Sequence, residues 1–195
     1  MVVLAHGAGA GMRSEFMEFM ADGLASAGFL CLRFEFPYMR AGRKSPDKAA
    51  VLEETFRKAA EEARAVAGDR PLVLGGKSMG GRIASQAVAG GAPADGIVFH
   101  GYPLHPPGRP DRVRKAHLPD VKVPMLFVEG TRDPFCPLET LRDVIEETGI
   151  EADLVVIDDG DHSFKVRKPS GRSTRGAWGE VVQHTTEWID KALLR

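Results

Sequence analysis

Short apolar runs alternate along the chain with longer amphipathic stretches. The short runs are apolar at consecutive positions rather than at every second one, which is typical of strands covered by helices on both faces. They predict strands at Val2–Ala5, Phe29–Phe34, Leu72–Leu74, Gly96–His100, Met125–Val128 and Leu154–Ile157. Such strands belong to a parallel sheet, because antiparallel sheets commonly leave one face polar.

The stretches between these runs carry apolar residues at the three- and four-residue spacing of amphipathic helices. Ser45 followed by Pro46 is a typical helix start, so the second helix is predicted to begin there and to end at Gly68. The other helices are predicted at Arg13–Ala27, Met79–Ala89, Leu138–Thr148 and about Glu180–Leu194. This alternation predicts an α/β fold, a doubly wound and mostly parallel sheet of about six strands with helices on both faces.

One segment breaks the alternation. Gly101–Val123 contains five prolines and no helical periodicity, so we expect an irregular excursion at one sheet edge rather than a lid domain. No repeat or linker divides the chain, and residues 1–195 are predicted to form a single domain. The first strand begins at Val2 with no hairpin before it. The chain is therefore either a minimal version of such a sheet or a sequence that begins inside a longer protein.

Net charge, the length of apolar runs and the cysteine positions disfavour several classes of function. The 195 residues carry a formal net charge of −1, so no overall field attracts nucleic acid or an anionic membrane. The sequence has neither a typical signal peptide nor an apolar run of the roughly 20 residues that a membrane helix needs. Cys31 and Cys136 are far apart and predict neither a disulfide framework nor a metal site. We therefore expect a cytoplasmic protein that acts on a small molecule.

Glycines surround Ser78 between a predicted strand and a predicted helix. Gly76-Lys77-Ser78-Met79-Gly80 matches the G-x-S-x-G pattern, in which a nucleophile on a sharp, strained turn needs small neighbours. The pattern is neither a dinucleotide fingerprint nor a P-loop, which disfavours a phosphate cradle. A purely structural tight turn remains the alternative to a nucleophile elbow.

A serine nucleophile needs a general base, and in this type of sheet the acid and then the histidine follow the serine along the chain. The histidines that come too early are His6, His100, His105 and His117. His184 lies on the apolar stripe of the last predicted helix and is interpreted as structural. His162 follows the last predicted strand, at the carboxyl edge where open α/β sheets place their sites, and is the predicted base.

The acid is expected between Ser78 and His162, after an intervening strand. Asp133 follows the strand Met125–Val128 and would orient the imidazole; the alternative is a turn aspartate before Pro134. Glu129 is the second candidate, but it ends the strand directly and has less reach. The aspartates beside His162 are expected to shape its loop: Asp158, Asp159 and Asp161.

An oxyanion hole needs two backbone N–H groups. The N–H of Met79 lies at the start of the helix after Ser78 and supplies the first. The loop after the first strand, His6-Gly7-Ala8-Gly9, is predicted to supply the second, from Ala8 with Gly9 as the next candidate. His6 is expected to order this loop through hydrogen bonds.

Other side chains near the same sheet edge are candidates for the substrate pocket. Tyr102, His105 and Tyr38 are predicted to line it, although packing of their own loops would explain them equally well. A run of basic residues follows His162, at Lys165, Arg167, Lys168, Arg172 and Arg175. This basic loop would either attract an anionic acyl or phosphorylated substrate or form a solvated surface.

Taken together, the blocks "AHGAGAG", "RFEFPYMRAGR", "GGKSMGGR", "HGYPLHPPG" and "EGTRDPF…GDHSF" resemble the α/β-hydrolase superfamily, and most closely its compact lidless members near the dienelactone-hydrolase-like group. The resemblance covers nearly the whole chain. It implies a Ser78–Asp133–His162 triad and hydrolysis of an ester or related acyl bond, without cofactor or metal. Dienelactone hydrolases carry cysteine at the elbow, so their substrate does not transfer. A non-catalytic binding module and an acyltransferase are the alternatives.

Overall fold

The computed structural model describes residues 1–194 and contains a single sheet of six parallel strands in the order β2-β1-β3-β4-β5-β6. This confirms the predicted α/β sheet. The strands are β1 (Val2–Ala5), β2 (Cys31–Phe34), β3 (Val73–Lys77), β4 (Gly96–His100), β5 (Met125–Gly130) and β6 (Ala152–Ile157).

Helices cover both faces of the sheet. They are α1 (Glu15–Ser26), α2 (Pro37–Arg40), α3 (Ala49–Ala67), α4 (Met79–Ala89), α5 (Leu138–Thr148) and α6 (Thr174–Leu193). Helices α1 and α6 pack on one face through residues such as Met20 and Trp188, and helices α3, α4 and α5 pack on the other through residues such as Phe56 and Ile83. The continuous apolar runs of the central strands are buried between these two layers.

The ends of two helices differ from the prediction. Helix α3 begins at Ala49, and the predicted cap Ser45 lies in the preceding loop. In that loop Arg43 pairs with Asp47, four residues later, at 2.7 Å. Helix α6 begins six residues before the predicted Glu180, because the side chain of Ser173 accepts a hydrogen bond from the N–H of Gly176 and caps it.

The parallel topology brings three loops to one edge of the sheet, namely those that follow β3, β5 and β6. The segment Gly101–Val123 also starts at this edge and is irregular, with one short 3-10 turn at Leu118–Asp120. It buries Tyr102 and Leu104 against the core and adds no lid domain. None of the helices formed by residues 1–194 combines the length and the apolar character needed to cross a bilayer.

Candidate active site

Ser78 occupies a sharp turn between β3 and α4. Its φ of 52° lies in the left-handed region, although it is not a glycine, and such a conformation is strained. The Ser78 N–H donates to the carbonyl of His100 at 3.1 Å, which ties the turn to β4. A Cβ atom at Gly80 would lie 2.6 Å from the carbonyl carbon of Ala5, so only glycine fits there. These features make the turn an elbow that presents the serine hydroxyl.

His162 connects Ser78 to Asp133. Its Nε2 lies 2.8 Å from the Ser78 Oγ, and its Nδ1 lies 2.6 Å from the Asp133 Oδ2. With Asp133 ionised, we assign the proton to Nδ1, which leaves Nε2 to accept the hydrogen bond of the serine hydroxyl. The other oxygen of Asp133 accepts the N–H of Phe135 at 2.8 Å, and this fixes the carboxylate plane. The arrangement can move a proton from the serine to the imidazole.

The loop of His162 is held by the aspartates beside it. One oxygen of Asp161 accepts the N–H groups of Ser163 and Lys165, at 2.8 and 2.9 Å. A Cβ atom at Gly130 would lie 2.6 Å from the carbonyl carbon of Gly160. The end of β5 and the His162 loop can therefore approach closely only because Gly130 has no side chain, and this approach brings Asp133 to the imidazole.

The surroundings of His162 favour its neutral form. Burial lowers the pKa of the imidazole below its ordinary value of 6.5, while the hydrogen bond to Asp133 opposes this shift and the charge of Lys77 adds to it. The ring of Phe135 packs edge-on against it, with centroids 4.7 Å apart. A histidine that is neutral near pH 7 can accept a proton there.

Two buried ionisable groups lie behind the serine, histidine and aspartate. The Lys77 Nζ is shielded from solvent and has no hydrogen-bond partner among residues 1–194. Burial lowers the pKa of Lys77 to about 8, although Asp133 and Glu129 attract its charge. Burial and the charge of Asp133 raise the pKa of Glu129 well above its ordinary value. Its Oε1 accepts the N–H of Tyr102 at 2.6 Å, so Glu129 fixes the loop after β4.

The position of Lys77 beside the imidazole of His162 was not predicted from the sequence. The available signal was a lysine at the end of a strand that is otherwise apolar or glycine. A Cβ atom at Gly101 would lie 2.8 Å from the Lys77 Nζ and 3.5 Å from the His162 Nδ1. The absence of a side chain at Gly101 thus lets the ammonium group approach the imidazole.

The loop after β1 lies beside Ser78. Ala8 lines the same cavity as Ser78 and Met79. The N–H of Gly9, the second predicted donor, is engaged in this structure, since it donates to the hydroxyl of Tyr38 at 3.2 Å. The N–H of Met79 begins helix α4 and has no intrahelical acceptor. Ala8 and Met79 are therefore the two candidate donors.

His6 orders this loop. Its Nδ1 lies 2.8 Å from the carbonyl of Gly7, and its Nε2 accepts the N–H of Phe36 at 3.2 Å. These contacts require a neutral ring with the proton on Nδ1, and burial lowers the pKa of His6 accordingly. The side chain supports the loop and does not enter the cavity lining.

A cavity of about 280 Å³ opens at Ser78 and His162. Of the three predicted pocket residues, only His105 lines it. Tyr102 is fully buried and its hydroxyl donates to the carbonyl of Arg114 at 3.0 Å, and buried Tyr38 holds Gly9. Neither tyrosine is among the residues that line the cavity, because both side chains pack inward. Lining residues that the sequence analysis did not identify include Asp47, Leu52, Arg82, Arg114 and Phe135.

None of the residues of the basic loop after His162 lines the cavity that contains Ser78. Its arginines pair with acidic side chains: Arg167 with Asp159 at 2.5 Å, Arg172 with Glu180, and Arg175 with Glu15 at 3.4 Å. These pairs favour the interpretation as a solvated surface.

Two further side chains have no part in the cavity lining. The Nδ1 of His184 lies 3.6 Å from the carboxylate of Glu187, three residues later on α6. Cys136 is buried and its pKa is raised by burial and by Glu129, so its thiol is not a second nucleophile. Within residues 1–194 no group of three or more histidine, cysteine, aspartate or glutamate side chains is arranged to hold a metal ion.

Comparison with known proteins gave consistent matches. The sequence profile described as "Alpha/beta hydrolase domain" matches residues 1–190. An alpha-beta serine hydrolase homologue from Coxiella burnetii superimposes with a TM-score of 0.74 at 15% identity, over 96% of this chain and 84% of that one. A lidless a/b serine hydrolase from Xanthomonas campestris gives 0.70 at 19% identity, over 100% and 81%. A cold-adapted esterase from an Arctic intertidal metagenomic library gives 0.69 at 18%, over 98% and 82%. At these identities the solved structures establish a shared fold.

Proposed function

The chain belongs to the alpha/beta hydrolase domain family, and from this premise we propose that it is a serine hydrolase that cleaves an ester or a related acyl bond. One observation carries the proposal. A continuous hydrogen-bonded series runs from the Ser78 hydroxyl through His162 to Asp133, and it begins in a cavity large enough for a small acyl group. A purely structural turn would need neither the series nor the cavity.

The reaction begins with proton transfer. As the Ser78 oxygen attacks the acyl carbonyl, His162 Nε2 takes the hydroxyl proton, and Asp133 stabilises the imidazolium that forms. The carbonyl oxygen becomes an anion, and the N–H groups of Met79 and Ala8 are the donors proposed to hold it. Loss of one such donor typically costs ~2.7–4 kcal/mol of transition-state stabilisation.

The second half of the reaction reverses these roles. The imidazolium donates its proton to the departing alcohol oxygen, and the carbonyl carbon remains bonded to Ser78 as an acyl-enzyme. A water molecule then loses a proton to His162 and attacks the acyl carbon, which releases the carboxylic acid and restores the serine. Another acceptor in place of water would give acyl transfer with the same residues.

Covalent labelling tests the proposal. A fluorophosphonate probe reacts with an activated serine and is expected to label the wild-type chain but not Ser78→Ala. Hydrolysis of p-nitrophenyl butyrate is expected to fall by about 10⁴–10⁶ in this variant. The matched control is Ser26→Ala, at an exposed serine that donates only to the Asp22 carbonyl. It is expected to keep both labelling and turnover.

The outcomes separate the candidate functions. A folded wild-type chain that the probe does not label would contradict the proposal and favour a non-catalytic binding module. Equal labelling of Ser78→Ala would contradict the assignment of the nucleophile. Adding a primary alcohol to the ester assay distinguishes hydrolysis from acyl transfer, because a transferase would form the new ester at the expense of the free acid.

A further inference from the structure

Two arginines line the cavity that contains Ser78. Arg82 belongs to α4, one helical turn after the elbow, and its backbone N–H donates to the Ser78 carbonyl at 3.2 Å. Four residues of helix place the Arg82 backbone about 6 Å along the axis from Ser78. Arg114 comes from the irregular segment after β4, where its guanidinium donates to the carbonyl of Pro103 at 3.2 Å. Two separate elements thus bring positive charge to one cavity.

Neither guanidinium has a carboxylate within 4.0 Å in residues 1–194. Arg82 donates to the Gln86 amide oxygen at 2.8 Å, while its Nε is buried without an acceptor. Burial lowers the pKa of Arg114, and the charge of Arg82 lowers it further. Both groups stay protonated at neutral pH, so the cavity holds two mutually repelling cations.

The nearby acidic side chains do not remove this excess charge. Asp47 also lines the cavity: its Oδ1 accepts from Arg43 at 2.7 Å, its Oδ2 is buried without a hydrogen-bond partner within residues 1–194, and the carboxylate forms no ion pair with Arg82 or Arg114. Glu53 on α3 attracts the charge of Arg82 only from beyond ion-pair distance. A buried charge without a partner is costly, and a planar carboxylate is the group that arginine pairs best, through two parallel hydrogen bonds.

Apolar groups complete the cavity. Leu52, Pro103 and Phe135 lie on its wall with the two arginines. A volume of about 280 Å³ is at the small end of the range for ligand pockets, and suits an acyl group of a few carbons. The cavity therefore combines the proposed nucleophile, an apolar wall and two cationic side chains.

Resting on the proposed acyl hydrolysis, we infer that the natural substrate is an ester of a short acyl group that ends in a carboxylate, which Arg82 and Arg114 bind. The Ser78 oxygen forms a bond to the ester carbonyl carbon, the bond to the alcohol oxygen breaks, and His162 passes the serine proton to the alcohol. Water then releases the acyl group as a dicarboxylate and one proton.

Binding to the inactive Ser78→Ala chain tests this inference independently of catalysis. Monomethyl glutarate, which carries one carboxylate, and methyl glutaramate, its uncharged amide isostere, serve as probes in titration calorimetry. Monomethyl glutarate is expected to bind roughly 10- to 100-fold more tightly, and Arg82→Gln introduced into Ser78→Ala is expected to abolish most of this preference. Arg82→Lys keeps the charge without the planar fork and is expected to retain part of it. Equal affinities for the two probes would overturn the inference.

A second experiment measures ester hydrolysis by the chain that retains Ser78. The ratio of kcat/KM for mono-p-nitrophenyl glutarate to that for p-nitrophenyl glutaramate is expected to be about tenfold or more, and to decrease with added salt. Arg82→Gln is expected to reduce this ratio, whereas Arg175→Gln, which removes a guanidinium paired with Glu15 outside the cavity, is expected to leave it unchanged.

A third pair of esters locates the carboxylate. The butyrate esters of 3-hydroxybenzoate and 3-hydroxybenzamide carry the charge difference on the leaving group. If the charged ester is preferred in this pair but not in the glutarate pair, the inference that the carboxylate lies on the acyl group is overturned. If the fluorophosphonate probe fails to label the wild-type chain while monomethyl glutarate still binds through Arg82, the proposed hydrolysis fails and the carboxylate site stands.

Discussion

Replacing Lys77 with methionine removes a buried positive charge and keeps a side chain of similar length. In the wild-type chain the Nζ is shielded from solvent and has no hydrogen-bond partner within residues 1–194; it lies 5.7 Å from the centroid of the Phe164 ring. Burial lowers the pKa of Lys77 from 10.5 to about 8 in the folded state. An unfolded chain exposes the amine and restores the ordinary pKa.

The size and sign of the effect follow from this difference. Each pKa unit corresponds to about 1.36 kcal/mol, so protonated Lys77 destabilises the fold by about 3 kcal/mol at pH 7. Between the folded and unfolded pKa values the unfolded chain binds more protons, and this contribution to stability therefore rises with pH. The penalty falls to about 1 kcal/mol at pH 10. We expect Lys77→Met to be more stable than wild type by as much as this penalty.

Urea unfolding at pH 7 and pH 10, at one ionic strength, measures the free energy of unfolding of both proteins. Burial raises the pKa values of Cys31 and Tyr38 in the folded chain, so these groups also make stability depend on pH in this range. Their contributions cancel in the difference between the two proteins. Lys168→Met, at an exposed lysine, is the control and is expected to change stability by less than about 0.5 kcal/mol at either pH.

A Lys77→Met protein that is less stable than wild type, by the same amount at both pH values, would refute the reasoning.

The variant has a second expected effect in the ester assay. Because the charge of Lys77 contributes to lowering the pKa of His162, its removal is expected to move the acid limb of kcat/KM to higher pH. A merely structural role for Lys77 would lower activity without moving this limb.

Two further predictions concern the base and the elbow. Since burial lowers the pKa of His162, kcat/KM of the wild type is expected to reach half its maximum below pH 6.5; a midpoint above pH 7 would contradict this. Gly80→Ala would place a Cβ 2.8 Å from the His6 carbonyl oxygen and is expected to destabilise the fold by roughly 1–3 kcal/mol. Gly179→Ala, whose Cβ would meet nothing within 4 Å, is the control and is expected to stabilise α6 by up to about 1 kcal/mol.

The sequence predicted the fold where the apolar pattern and the topology rules agree. Strand β4 and helix α4 have the predicted ends. Strand β3 was predicted to end at Leu74, yet its ladder continues through Gly75 and Gly76 to Lys77, which pairs with His100. Backbone pairing does not need side-chain hydrophobicity, and a Cβ at Gly75 would lie 3.2 Å from the Val98 carbonyl carbon. The glycines therefore belong to the strand because two neighbouring strands approach them closely.

The convergence of Ser78, Asp133 and His162 could be predicted for a different reason. Each follows a parallel strand, and the carboxyl ends of such strands meet at one edge. No comparable rule predicts from the sequence which way the side chain of a loop residue points. Tyr102 follows β4 at the same edge, but its hydroxyl reaches the Arg114 carbonyl inside the protein, so position along the chain alone suggested a pocket residue incorrectly.

The two arginines of the cavity show where this limit lies. Arg82 is four residues after Ser78 on α4, and residues at this spacing share a helix face, so the sequence contained a usable signal once the elbow was identified. Arg114 lies in the irregular segment, where no periodicity relates it to Ser78. With Lys77 before the serine and Arg82 after it, the stretch Gly76–Arg82 places positive charge on both sides of Ser78. In the proposed reaction both charges favour the anion that develops at the acyl carbonyl. Both also work against folding, because the Lys77 Nζ and the Arg82 Nε are buried without hydrogen-bond partners within residues 1–194. We therefore expect Lys77→Met and Arg82→Gln to shift stability and turnover in opposite directions, as at sites where function opposes stability.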